Sequence, residues 1–212
     1  MKYKAILFDF DGTLADTAPC ILKTMCETFT RMNIPVPDDD AMKATIGLPL
    51  EDALQLLGRL DDERRAEAAA LYRKLFPDYE GEFVKIFPGV NETLSRLKSD
   101  GKRMAIVTSR GAKSLLAINN HNDLGKYFET MVTNNDHLTP KPAPDMVLAL
   151  LDRMHLGREE VLVVGDTTFD IEMGNHAGCD TCAVTYGNHS RSKLAMVNPT
   201  FYIDRFNELL MI

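Results

Sequence analysis

Short runs of consecutive apolar residues recur along the chain at 5–8, 104–107, 131–133, 161–164 and 182–185, with a further run at 201–203. Between most of them, apolar positions return every three or four residues over 90–99, 112–119, 144–154 and 169–177, the spacing that gathers them on one face of a helix. Strand alternating with helix predicts an α/β fold: a Rossmann-like, mostly parallel sheet with helices on both faces. Strands this uniformly apolar are buried on both sides. In such sheets ligands sit at the carboxyl ends of the strands, where the connecting loops begin.

One stretch breaks the alternation. From about Asp16 to Val84 the pattern is helical throughout. Ile21, Leu22, Met25, Cys26, Phe29 and Met32 fall at helix spacing, with Thr17 or Asp16 placed to cap and Pro19 in the first turn. Residues 35–40 read as a turn, and further helices are expected over 39–45, 50–57 and 61–75. The expected organisation is a core of residues 1–15 and 85–212. Into it an all-helical segment, 16–84, is inserted after the first strand, over the carboxyl end of the sheet where it can act as a lid.

Composition adds limits. The chain has 212 residues, 45% of them hydrophobic and 26% charged, the balance of a globular protein. A net charge of −7 argues against a broad electrostatic grip on nucleic acid or an anionic membrane, so an anionic ligand must be met by local charge. No run approaches the roughly 18 apolar residues of a membrane span. The first apolar run is too short for the core of an export signal, so the expected location is cytoplasmic, with Cys20, Cys26, Cys179 and Cys182 reduced. Cys179 and Cys182 have Cys-x-x-Cys spacing, open to a redox or metal reading or to simple packing beside a strand.

The candidate chemistry lies where the apolar runs end. Asp9 and Asp11 follow the first run two residues apart, so both carboxylates can face one site, and Gly12 permits an abrupt exit from the strand. Adjacent carboxylates repel unless a cation or a shared proton relieves them, although Asp-Gly also makes ordinary turns. Asp166 ends a second run, with Asp170 one helical turn on. A helix start alone would account for Asp170, but less readily for Asp166. Thr108-Ser109, ahead of a helix, is either a phosphate cradle or a plain cap. Lys141, in the proline-braced stretch 139–144, is either a solvated lysine or a fixed positive charge.

Taken in this order, the four elements resemble the haloacid dehalogenase-like (HAD) hydrolase superfamily over essentially the whole chain: Asp9 to Thr13, then Thr108, then Lys141, then Asp166 with Asp170. The helical segment resembles its C1-type cap, and the nearest likeness is to the phosphoglycolate phosphatase-like group. The resemblance implies Asp9 as nucleophile, forming an aspartyl-phosphate, and Asp11 as acid and then base. It implies Mg²⁺ held by Asp9, the Asp11 main chain and Asp166, with Asp170 adjacent, and phosphoryl oxygens received by Gly12, Thr108, Ser109 and Lys141. The implied substrate is a small phosphorylated metabolite such as phosphoglycolate, a sugar phosphate or pyrophosphate, and the implied state a monomer or homodimer. A β-phosphoglucomutase-like phosphomutase and a catalytically silent binding protein are the competing readings. Dehalogenation is disfavoured because Asp11 has no clear purpose in displacing halide. Residues 45–50 either resemble the specificity loop of the cap or form a helix–helix turn. Arg110 is either a receptor for a substrate carboxylate or phosphate or, as expected first, an exposed helix-start arginine, and none of the five histidines is given a role.

Overall fold

The computed structural model describes residues 2–212. The chain enters through strand β1 (Ala5–Phe8), turns sharply, and forms a two-residue strand β2 (Ala15–Asp16). Four helices follow: α1 (Ala18–Arg31), α2 (Asp39–Lys43), α3 (Leu50–Gly58) and α4 (Asp62–Phe83). Strand β3 (Lys85–Ile86) then pairs antiparallel with β2, so the chain leaves and re-enters the sheet domain through one short ribbon. The remainder alternates: α5 (Val90–Ser99), β4 (Arg103–Val107), α6 (Ala112–His121), β5 (Thr130–Val132), α7 (Asp145–Met154), β6 (Val161–Gly165), α8 (Thr168–Ala177), β7 (Asp180–Val184), α9 (Arg191–Ala195) and β8 (Phe201–Ile203).

Six strands form one sheet in the order β5-β4-β1-β6-β7-β8, and every pairing in it is parallel. The expected Rossmann-like sheet is thus present. Alternation within β1 divides the core. Ile6 and Phe8 point to the face covered by Leu94, Leu97 and Phe206, while Ala5 and Leu7 point to the face covered by Met146, Val147, Leu150 and Met173. Consecutive connections run from β1 towards β5, then cross back to β6 and run towards β8. The order therefore reverses between β1 and β6, the position where open α/β sheets bind ligands. Phe8 lies opposite Ile106 on one side and Val164 on the other, so the tips of β4, β1 and β6 end level.

Two local expectations are corrected. α4 does not stop at residue 75 but runs through Pro77 to Phe83. A mid-helix proline forfeits one backbone hydrogen bond, about 3 kcal/mol of propensity. Burial of Tyr72, Leu75 and Phe76, in a helix packed along α1, offsets that cost. Thr17 does occupy the capping position of α1, but its hydroxyl makes no cap bond. It is spent on Asp11 instead. Among the described residues no helix is long and apolar enough to cross a membrane.

Candidate active site

The level strand tips bring the sequence-predicted carboxylates together. Asp9 leaves β1 with its N–H on the Val164 carbonyl of β6, 2.9 Å away, which sets it beside Gly165 and Asp166. Asp9, Asp166 and Asp170 are all buried, with carboxylate oxygens within 4.8 Å of one another. Lys141 reaches this cluster from the loop before α7, its side chain wholly enclosed. Nζ donates to Asp9 Oδ1 at 2.6 Å and to Asp170 Oδ1 at 2.5 Å. The solvated-lysine alternative is excluded. Among the described residues nothing donates to the second oxygen of Asp9. The residue lines a cavity of about 880 Å³ between the sheet tips and the helical segment.

The surroundings hold each carboxylate differently. Asp166 accepts from Thr13 Oγ1 at 3.0 Å on one oxygen, and on the other from the Asn188 N–H and Nδ2 at 2.7 and 2.8 Å. Glycine is obligatory beside it: Gly12 has φ 85°, and a Cβ there would lie 2.2 Å from Asp166 Oδ2. The N–H of Gly12 donates to the Ala15 carbonyl. Asp170 serves two masters. Its Oδ2 closes the N-terminus of α8 by accepting from Thr167 N–H and Oγ1, and its Oδ1 holds Lys141. The helix-start reading of Asp170 holds, and the same carboxylate also lies in the buried cluster with Asp9 and Asp166.

Charge in the cluster is unbalanced. Burial, and then the neighbouring Asp170, push the Asp166 pKa up to about 7 despite three hydrogen-bond donors. Burial and Asp170 raise Asp9 well above the carboxylate range, with Lys141 opposing. Burial works against the Lys141 ammonium, but Asp170 and Asp9 outweigh it and hold its pKa above that of an ordinary lysine. Three buried carboxylates against one ammonium, all offering oxygen ligands, fit a hard divalent cation.

Asp11 is set apart from this cluster. Arg110 grips its carboxylate with Nε and Nη2, and Thr17 Oγ1 donates to Oδ1 at 2.6 Å. Burial alone would raise the Asp11 pKa, yet the charge and hydrogen bonds of Arg110, with Thr17, hold it below the usual range. The expectation of an exposed Arg110 is therefore wrong: its side chain is 8% exposed because the guanidinium is enclosed between Asp11, Ser114 and the ring of Phe76. Thr108 is buried at the tip of β4, and its Oγ1 accepts from the Arg110 N–H. Ser109 Oγ donates to the Gly47 carbonyl of the helical segment at 2.7 Å. Neither hydroxyl caps α6, whose N-cap is Gly111.

Thr13, the last residue of the 9–13 motif, and Asn188, unassigned in the sequence, both orient Asp166. His189 was likewise unassigned. Its Nδ1 accepts from the Thr168 N–H at the start of α8, and burial with Lys193 pushes its pKa down to about 4, so it acts as a neutral brace. Cys179 and Cys182 are buried with thiols pushed up to about 11 and about 12, and among the described residues no metal cluster includes them. Packing is the reading that survives for this pair.

Comparison with known proteins agrees with the geometry. The family described as Haloacid dehalogenase-like hydrolase matches residues 6–184. The chain is 31% identical to a pyrophosphatase, PpaX, of Bacillus cereus (strain Q1) over 100% of this chain and 97% of that protein. It is 29% identical to a phosphoglycolate phosphatase of Salmonella choleraesuis (strain SC-B67) over 98% and 91%. A solved haloacid dehalogenase-like family protein, SP0104 of Streptococcus pneumoniae, superposes with a TM-score of 0.86 at 24% identity, covering 99% of this chain and 98% of that one. With the matched span and the ordered carboxylates together, the chain belongs to the haloacid dehalogenase-like hydrolase family and is one of its phosphatases.

Proposed function

We propose that the protein hydrolyses a small-molecule phosphate monoester or pyrophosphate through an aspartyl-phosphate on Asp9, with Mg²⁺ as its divalent cation. The observation that carries this reading is the pairing of Lys141 with one oxygen of Asp9, a residue that lines the cavity, while among the described residues nothing donates to the other oxygen. A carboxylate fixed on one side and open on the other is a positioned nucleophile. Its open oxygen attacks phosphorus, and Lys141 neutralises charge gathering around Asp9. Thr108, with the main chain at Ser109, receives phosphoryl oxygens. Gly12 contributes by leaving room for Asp166.

Asp11 protonates the departing oxygen, then takes a proton from the water that opens the aspartyl-phosphate and releases inorganic phosphate. Acid–base help of this kind is typically worth ~10²–10⁴-fold. The residues to hold the metal are Asp9, Asp166 and the Asp11 main-chain carbonyl, with Asp170 orienting Lys141 beside them. When bound, the cation supplies positive charge against the phosphoryl oxygens and the carboxylates. The remaining steps are positioning and charge stabilisation, which suits phosphoryl transfer.

Residues 16–84 form the cap in this reading. Ser109 reaches from the core to the Gly47 carbonyl, so the 45–50 loop closes over the phosphoryl site and is placed to read the leaving group. The relatives point to phosphoglycolate and pyrophosphate as the substrates to try first, with sugar phosphates next. The test is a panel of phosphate esters and pyrophosphate, measured as inorganic phosphate released, with Mg²⁺ and with EDTA. Asp9→Asn is expected to lower turnover by at least about 10⁴-fold, some 5 kcal/mol of barrier, while leaving the circular dichroism spectrum unchanged. Undiminished turnover in that variant, or in EDTA, removes the mechanism. Isomer formation in place of phosphate release would make the protein a mutase.

A further inference from the structure

The cavity that Asp9 lines is far larger than a phosphoryl group needs. Ile21 and Met25 stand one turn apart on α1, as Tyr72 and Phe76 do on α4, so each pair shares a helix face. These four, with Ile46 from the 45–50 loop and Ile118 from α6, line the cavity, and all six are buried. Its volume of about 880 Å³ falls within the roughly 300–1,000 Å³ of sites that hold drug-sized ligands. A lifted cap does not account for the space. Ser109 Oγ holds the Gly47 carbonyl at 2.7 Å, and the Phe76 ring lies 4.8 Å from the Arg110 guanidinium, so the helical segment is seated on the core.

Positive charge on this wall is already committed or exposed. Arg110 grips Asp11, and its Nη1 donates to Ser114 Oγ at 2.6 Å, so taking up a substrate carboxylate or phosphate would break contacts already made. Arg73 pairs with Glu51. Lys85, Lys113 and His121 also line the cavity, but all three are exposed. A second anionic group on a substrate would therefore enter an apolar chamber with no enclosed counter-charge to meet it, which is costly. The carboxylate of phosphoglycolate and the second phosphate of pyrophosphate are groups of that kind.

One neutral polar group is uncommitted. Tyr72 is only 7% exposed, yet among the described residues its hydroxyl has no hydrogen-bond partner. A hydroxyl or carbonyl on a ligand would supply one.

We propose that this site selects phosphate monoesters of bulky, uncharged and mostly apolar alcohols, whose body packs against Ile21, Met25 and Ile46 and whose one neutral polar group is met by Tyr72. The proposal deepens the phosphatase reading and rests on it. It ranks such esters above phosphoglycolate, pyrophosphate and sugar phosphates, the last because their many hydroxyls face a wall with few partners.

The test is kcat/KM for phosphate release in Mg²⁺ on ethyl, butyl and hexyl phosphate, with phosphoglycolate, pyrophosphate and glucose 6-phosphate alongside. The alkyl esters share one leaving-group chemistry, so differences among them report burial of the chain. Full burial of a methylene corresponds to about fourfold, so hexyl phosphate should exceed ethyl phosphate by at least about 30-fold. It should exceed each of the three other compounds at least about tenfold. A hexyl phosphate carrying a terminal hydroxyl tests Tyr72: in Tyr72→Phe its kcat/KM relative to that of hexyl phosphate should fall about five- to tenfold, the scale of one hydrogen bond.

A flat or falling series with chain length overturns the proposal, as does a preference for phosphoglycolate, pyrophosphate or glucose 6-phosphate over hexyl phosphate. An unchanged ratio in Tyr72→Phe overturns the part given to Tyr72. Failure of the unmodified protein to release phosphate from any of these compounds would instead remove the phosphatase reading on which the proposal rests.

Discussion

Replacing Lys141 by methionine keeps the length and apolar stem of the side chain and deletes the ammonium. In the native site that ammonium is fully enclosed and lies 2.6 and 2.5 Å from two buried carboxylates. Breaking a buried pair by removing one partner costs about 3–5 kcal/mol, because the remaining charge is left uncompensated. Folded domains have only about 5–15 kcal/mol in hand, so the variant should fold while losing a large part of its stability. For a chain of 212 residues the loss corresponds to a fall in Tm of roughly 6–20 °C.

The sign with pH follows from the same groups. Asp9 already binds its proton more readily than an exposed aspartate, for reasons of burial and neighbouring carboxylate charge. Without Lys141 that tendency increases. Protonation relieves the repulsion, so the deficit should be greatest near pH 8 and shrink towards pH 5. Thermal unfolding of both proteins in EDTA, followed by circular dichroism across this range, measures it. Metal affinity should move the other way, because a cation entering the site no longer meets a fixed positive charge. A Tm within about 2 °C of the parent at pH 8, or a deficit that grows on acidification, would refute the view that Lys141 compensates these carboxylates.

Other outcomes follow from the same cluster. The Asp166 pKa is raised to about 7 from a model-compound value of 3.8, so the metal-free fold holds a proton that the unfolded chain gives up. Its stabilising contribution is full below about pH 4 and lost as pH rises through 7, about 4 kcal/mol in all. Chemical denaturation in EDTA should show that decline, and saturating Mg²⁺ should flatten it. Gly12→Ala drives a Cβ to within 2.2 Å of Asp166 and demands a positive φ, so calorimetry should show metal binding lost along with at least about 2 kcal/mol of stability. Ser109→Ala deletes the hydroxyl that reaches the Gly47 carbonyl. It is expected to raise KM on the preferred ester by about five- to tenfold, roughly one hydrogen bond, with a smaller change in kcat.

What the sequence made legible, and what it hid, divides along a physical line. Asp9, Asp11 and Asp166 could be found because each follows an unbroken apolar strand. In a parallel sheet with level tips, the end of a strand is a place in space as well as in the chain. Lys141 was ambiguous because its loop is fixed by contacts far away in sequence, with Asp9 and Asp170. Arg110 was misjudged for a related reason. A charge just before a helix looks exposed unless it is known that α4 lies above it, and the length of α4 was itself underestimated at Pro77. Asn188 and Thr13 orient Asp166 from opposite sides of the site through short polar contacts that leave no periodic trace. Local pattern revealed the elements and the acids at their ends, while the groups that aim those acids emerged only from packing.

The short ribbon of β2 and β3 has a consequence for how such a protein can change. Both ends of the helical segment pass through one hydrogen-bonded doorway, reinforced where the Phe87 N–H meets the Leu14 carbonyl. The rest of the molecule therefore sees the same two anchor points whatever lies beyond them. A segment of different length can be exchanged there without shifting the register of any sheet strand, so long as it keeps the Thr17 and Phe76 contacts that hold Asp11 and Arg110. Selection for a new substrate and preservation of the old chemistry can then proceed on separate stretches of the gene.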